Sequence, residues 1–210
     1  MTRWKFYSAP ATCGLAVHIA LEEAQADYEL VRLNFAQAEQ QSPAYLALNP
    51  KGRVPALVTK QGVLTETAAL LVFIAQRFPQ ARLAPLDDVF AFARMQAFNS
   101  FLASTVHVAH AHGRRGKRWA DDEQAIAAMK AKMPANMRQC AQMLQDQVAG
   151  PYVLGEHYSV ADAYLYTVAG WLPGDGVDLA EFPVLADHRH RVGQRPAVLR
   201  AETAAAAPAP

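Results

Sequence analysis

At 210 residues, 52% of them hydrophobic, the chain can bury a sizeable core as one large domain or two small ones. Its formal charge of +1 argues against a broad nucleic-acid-binding face or an acidic-membrane surface, and no apolar run is long enough to cross a bilayer. Lys5, Pro10 and Thr12 interrupt any leader-like apolar core, and two cysteines, Cys13 and Cys140, are too few for a disulfide scaffold, so a reducing cytoplasm is the expected compartment.

Trp4 to Ser8 reads as a strand, Gly14 to Ala26 as a helix and Tyr28 to Leu33 as a second strand, an order that predicts a right-handed parallel crossover. A short helix is expected after Ser42-Pro43. Ala56-Leu57-Val58 and Val63-Leu64-Thr65 form a predicted hairpin around Lys60-Gln61-Gly62, and Ala68 to Phe78 is the next helix. Phe78 to Pro85 breaks the pattern as a linker. Beyond it the chain is helical throughout. One long helix is expected from Asp87 to about His112, with Phe90, Ala93, Ala97, Phe101 and Ser104 on one face, and another from Asp121 to Val148, disturbed near Pro134. Ser159-Val160-Ala161-Asp162 has the form of a capping box opening a buried helix to Trp171, and Pro183 and Pro196 start two more. The expected organisation is an α/β domain over residues 1–79, a linker over 80–86, an all-helical domain over 87–203 and a frayed tail over 204–210.

The stretch richest in chemistry runs from Asn49 to Thr67, N-P-K-G-R-V-P-A-L-V-T-K-Q-G-V-L-T-E-T. Pro55 has no N–H, so at a strand start it leaves neighbouring backbone free to pair outside the sheet. The helix start at Glu66-Thr67 offers unpaired N–H groups and a positive dipole end that hold a carboxylate. A bare backbone edge beside a carboxylate site suits an extended acidic peptide. Earlier in the chain, Cys13 stands at a helix start, where the same dipole favours its thiolate.

These residues resemble the glutathione-binding core of cytosolic glutathione transferases, whose fold is a thioredoxin-like N-terminal domain followed by an all-α C-terminal bundle. The motif P-A-T-C-G-L-A-V-H-I-A-L and the run N-S-F-L-A-S-T-V-H resemble the bacterial beta class. The resemblance implies that Val54, before a cis Pro55, pairs with the backbone of glutathione and that Glu66 and Thr67 hold its γ-glutamyl end, with Arg53 and Thr12 beside them. It implies that Cys13 forms a mixed disulfide or stabilises the thiolate, and that His107 reaches the sulfur from the long helix. Ser100 falls where the class carries an asparagine, and Gly14 where it commonly carries a serine. Tyr7 and Thr12 compete with Cys13, because a Tyr or Ser/Thr hydroxyl holds the thiolate in other classes.

Other features have plainer readings. His107, His110 and His112 carry no Glu in the H-E-x-x-H manner and no nearby carboxylate or thiol, so no metal site is expected. Arg114-Arg115-Gly116-Lys117-Arg118-Trp119 complements a negative helix end. Asp162 is read as the capping partner of Ser159, and Cys140 as core. The expected function is glutathione S-transferase, conjugating the glutathione thiolate to a hydrophobic electrophile in detoxification. Glutathione is the co-substrate, the assembly a homodimer as the resemblance implies, and neither nucleic acid nor membrane is a partner. A thiol–disulfide oxidoreductase or peroxidase using Cys13, a non-catalytic glutathione-binding module, and a lyase or dehalogenase on the same scaffold stand as alternatives. An apolar second pocket is expected from Phe98, Leu102, Val106 and Trp119.

Overall fold

A computed structural model of the chain describes residues 3–206. Strand β1 (Trp4–Ser8), helix α1 (Gly14–Glu23) and strand β2 (Tyr28–Arg32) form the expected parallel crossover; Trp4 lies opposite Tyr28 and Ser8 opposite Arg32. Strand β3 (Ala56–Thr59) pairs antiparallel with β1 and with β4 (Gly62–Thr65), so the sheet order is β2-β1-β3-β4. Gly62 closes the hairpin at φ +133°, a backbone region that glycine enters without steric cost. Helix α2 (Pro43–Leu48) starts where Pro fits the first turn, with the Ser42 hydroxyl accepting from the Tyr45 N–H, and α3 (Thr67–Arg77) follows the hairpin. This is the thioredoxin-like arrangement.

Helix α1 is buried at Gly14 and from Ala16 to Leu21. A helix that is apolar nearly all round is covered on more than one side. Here α3 packs on it, and so does the last helix, α9 (Pro196–Ala206). His18 lies in this interior, 2% exposed, its ring against Phe6 and Tyr28, and its Nε2 has no hydrogen-bond partner among the described residues. Burial pushes its pKa from 6.5 down to about 4, only partly offset by the charge of Glu22. Between those values the unfolded chain takes up a proton that the folded chain refuses. The stabilisation is therefore complete above pH 6.5 and declines as pH falls toward 4, by up to about 3 kcal/mol. Denaturant titrations across this window should show a shallower pH slope for His18→Phe than for the parent chain; equal slopes would mean that His18 is protonated in the folded state as readily as in the unfolded one.

The helical segment comprises α4 (Val89–Phe101), a π-helical stretch at Leu102–Val106, α5 (His107–Arg114), α6 (Glu123–Gln145), α7 (Val160–Ala169), α8 (Pro183–Gly193) and α9 (Pro196–Ala206). Three expectations change. The long first helix is interrupted by the π-helical stretch, and its buried face is Met95, Phe98, Asn99, Leu102 and Val106, while Phe90 is 75% exposed and Ala93, Ala97 and Ser104 are also exposed. Apolar residues occupy several faces of this helix, so its periodicity offers two stripes of similar strength. Phe98, Leu102 and Val106, expected to build an apolar second pocket, are at most 4% exposed and belong to the core. Pro134 sits inside α6 without ending it.

The chain divides into two compact units. One contains the residues up to Val89 together with those from Gly193 on, and the other runs from Phe90 to Val192. Helix α9 thus groups with the thioredoxin-like unit. Arg195 holds Glu23 with two bonds of 2.5 and 3.0 Å, Arg200 Nε donates to Glu22 at 2.6 Å, and Arg32 Nη1 donates to the Ala204 carbonyl at 3.0 Å. Residues 204–206, expected in the frayed tail, form the last turn of α9, as the helix propensity of alanine and the bond to Ala204 favour. Residues 207–210 of that expected tail lie outside the described residues.

Candidate functional site

Cys13 occupies the N-cap of α1, 7% exposed, with its Sγ 3.8 Å from the Val54 carbonyl oxygen. The thiol therefore lies between the positive end of a helix and the backbone of the turn ahead of β3. That turn is held from below. The Tyr45 hydroxyl and the Asn49 side-chain amide both donate to the Arg53 carbonyl, at 2.6 and 2.7 Å. The Arg53 side chain is exposed, and the Val54–Pro55 peptide bond is cis. Tyr45 and Asn49 are buried, at 3% and 2% exposure, and burial pushes the Tyr45 pKa up. Val54 packs on the cluster of Leu33, Tyr45 and Ala56 with Tyr7 beside it.

Tyr7 is half-buried, its ring centroid 5.7 Å from that of Tyr45. The Thr12 hydroxyl donates to the Ala9 carbonyl at 2.7 Å and accepts from the Gly14 N–H at 3.3 Å. Its proton is thus committed to the loop, and Thr12 acts as a cap for the start of α1. Gly14 has a local cause. A Cβ there would lie 2.1 Å from the Ser8 hydroxyl oxygen, so Ser8 fills the space that a serine after Cys13 would need.

Glu66 is the N-cap of α3 at φ +71° and ψ 120°, a region that non-glycine residues rarely enter. Strain of this kind persists where surrounding structure over-determines it, and it clusters at functional sites. The Glu66 carboxylate accepts from Lys51 Nζ at 2.5 Å, and the same ammonium reaches the Thr65 hydroxyl at 2.9 Å. Thr67, in the first turn of α3, is 6% exposed. The sequence singles out Glu66 but not Lys51. N-P-K-G reads locally as a turn, and a cation 15 residues from its carboxylate leaves no short-range signal.

In the helical unit, His107 directly follows the π-helical stretch. Its ring lies 5.0 Å from Trp171, and the His110 ring stacks on that indole at 4.5 Å. His107 and His110 share a helix face, as their spacing requires, with ring centroids 6.3 Å apart. Ser100 is exposed, its carbonyl accepting from the Ser104 hydroxyl. No group of three or more His, Cys, Asp or Glu among the described residues is arranged to hold a metal ion. Arg114 does more than face a helix end: its Nε donates to Asp175 at 3.2 Å and its Nη2 to the Gly174 carbonyl.

Residues 2–76 match the glutathione S-transferase N-terminal domain, and residues 114–200 match the C-terminal domain of the same family. A glutathione transferase homologue from Sulfitobacter, solved with bound glutathione, is 46% identical, with a TM-score of 0.94 over 97% of this chain and 99% of that one. The chain belongs to the glutathione S-transferase family. The beta-class glutathione S-transferase of Sphingomonas chungbukensis is 32% identical, with a TM-score of 0.84 over 96% of this chain and 98% of that one. The glutathione S-transferase GstA of Escherichia coli O157:H7 is 28% identical over 92% of this chain and 94% of its own length. Among the described residues of this transferase, no helix is long and apolar enough to cross a membrane.

Proposed function

We propose that this transferase binds glutathione extended along Val54 and transfers its thiolate to an apolar electrophile. The carrying observation is the 3.8 Å approach of the Cys13 sulfur to the Val54 carbonyl, which puts a thiol at a helix N-terminus beside the backbone of a strand start. The γ-glutamyl end of glutathione carries both an ammonium and a carboxylate. Glu66 suits the first, while Lys51 and the N–H groups of α3 suit the second. In the transferase reaction the glutathione S–H loses its proton, the thiolate forms a carbon–sulfur bond, and the leaving group departs with the bonding pair. A helix dipole at Cys13 favours the negative sulfur before attack. His107 is assigned to take that proton or to donate a hydrogen bond to the resulting thiolate. Arg53, Thr12 and Ser100 are assigned contacts to glutathione, and Tyr7 stands as the alternative thiolate partner. The transferase works as a homodimer in the cytoplasm, where reducing conditions suit its two cysteine thiols.

A second reading is thiol–disulfide exchange, in which the Cys13 thiolate attacks glutathione disulfide and releases one glutathione thiolate, leaving a mixed disulfide. It is supported by the cysteine at the helix start and by similarity to the disulfide-bond oxidoreductase YfcG of Escherichia coli, 24% identical over 91% of this chain.

Calorimetric titration of glutathione into the reduced protein tests the binding assignment. Saturable binding in the micromolar-to-millimolar range is expected for the parent chain. Glu66→Ala should weaken it at least about tenfold, as for loss of one partner in a charged pair. An unaltered affinity in Glu66→Ala would remove the γ-glutamyl assignment. A folded parent chain that takes up no glutathione would leave an interaction module as the function.

A further inference from the structure

The turn from Trp171 to Asp175 is built as a seat for α5. Asp175 is 1% exposed, and its backbone N–H donates to the carbonyls of Trp171 and Leu172 at 3.0 Å, so the hydrogen-bonded turn that carries the indole runs directly into the 3₁₀ segment Pro173–Asp175 that carries the carboxylate. Three side chains of α5 meet it, at positions 107, 110 and 114, which lie on one helix face. His110 is engaged at both ends of the turn: its Nδ1–H donates to Asp175 Oδ2 at 2.6 Å, while its ring stacks on Trp171 at an interplanar angle of 27°. Arg114 donates to the other carboxylate oxygen and to the Gly174 carbonyl. His107, one turn before His110, packs its ring on the same indole.

A fully buried carboxylate is costly unless paired, so Asp175 is stable there only with His110 and Arg114 in place. That coupling fixes the His110 ring in two directions and, through the shared indole, restricts where the His107 ring can lie. The π-helical stretch just before His107 marks the same place, since π turns inside helices occur frequently at functional sites.

We propose that Asp175, His110 and Trp171 form a clamp that positions the His107 imidazole for the transferase reaction, an inference that rests on His107 serving the glutathione sulfur. Asp175 and His110 act through Trp171, as positioning residues. Loss of the clamp removes the indole's restraint on the His107 ring, so a smaller fraction of its orientations serves the sulfur.

The test uses the full-length protein with labelled histidine, in which the His107→Ala spectrum identifies the His107 ring signals among those of the seven histidines. Asp175→Asn, Trp171→Ala and the milder His110→Gln should shift and broaden the His107 signals. They should also lower kcat about tenfold with the KM for glutathione unchanged. Trp171→Phe, which restores an aromatic plate, should recover most of both. A folded His110→Gln or Trp171→Ala protein with parental His107 signals and parental kcat would overturn the clamp. If His107→Ala itself leaves turnover intact, the catalytic assignment of His107 fails, while the ring signals still decide whether the clamp holds it.

Discussion

Asp162→Ala should destabilise the helical unit by about 3–5 kcal/mol in chemical denaturation, the largest loss expected from any single side chain considered. Asp162 is fully buried and accepts from four donors. The N–H groups of Val153 and Ser159 reach it at 2.7 Å, the Ser159 hydroxyl at 3.0 Å and His188 Nε2 at 2.9 Å. Ser159 in turn caps α7 through its hydroxyl, completing a reciprocal box. An exposed capping residue costs about 1 kcal/mol when removed. Here four buried donors lose their acceptor together, and each unsatisfied donor carries its own desolvation cost. Asp162→Asn retains one acceptor oxygen and should cost less. A loss below about 1 kcal/mol for the alanine variant would show that water replaces the carboxylate without difficulty.

Cys13→Ala should abolish the mixed disulfide with glutathione, read by intact mass, and reduce conjugation about a hundredfold, as expected on losing a residue that stabilises the reacting nucleophile. The two readouts separate the two proposed chemistries. Loss of the mixed disulfide with full conjugation would confine Cys13 to thiol–disulfide exchange. The glutathione thiolate would then be held by other groups. Tyr7 would be favoured over Thr12, whose hydroxyl proton already goes to the Ala9 carbonyl. Retention of both activities would remove Cys13 from the chemistry altogether. Cys13→Ala shortens a 7% exposed side chain by one atom, so folding should survive it.

Much of the thioredoxin-like unit is local information. The apolar runs at Trp4–Ser8 and Tyr28–Arg32, the Gln61-Gly62 turn and, in the helical unit, the S-V-A-D box each carry their geometry within a few residues. The features that escape such a reading depend on residues far apart in the chain. Asp175 in P-G-D-G reads as an ordinary turn residue, and nothing nearby shows that His110 and Arg114, more than sixty residues earlier, close over its carboxylate. Lys51 reads the same way until Glu66 is beside it. The π-helical stretch L-A-S-T-V has no compositional mark, and the α4 face is ambiguous because Phe and Ala recur on several sides. Gly14 becomes intelligible only once Ser8 occupies the space of its missing Cβ.

The grouping of α9 with the first unit means that the helical unit is, topologically, an insertion. The chain leaves the thioredoxin-like unit near Val89 and re-enters it at Gly193. During synthesis the inserted unit is complete before the unit that encloses it, because Arg195 and Arg200 reach Glu23 and Glu22 only when the end of the chain has been made. Cutting the gene after the linker would release α1 without its α9 cover and strip both glutamates of their arginine partners. An isolated thioredoxin-like unit calls instead for excision, with residue 89 rejoined to residue 193 and α9 retained.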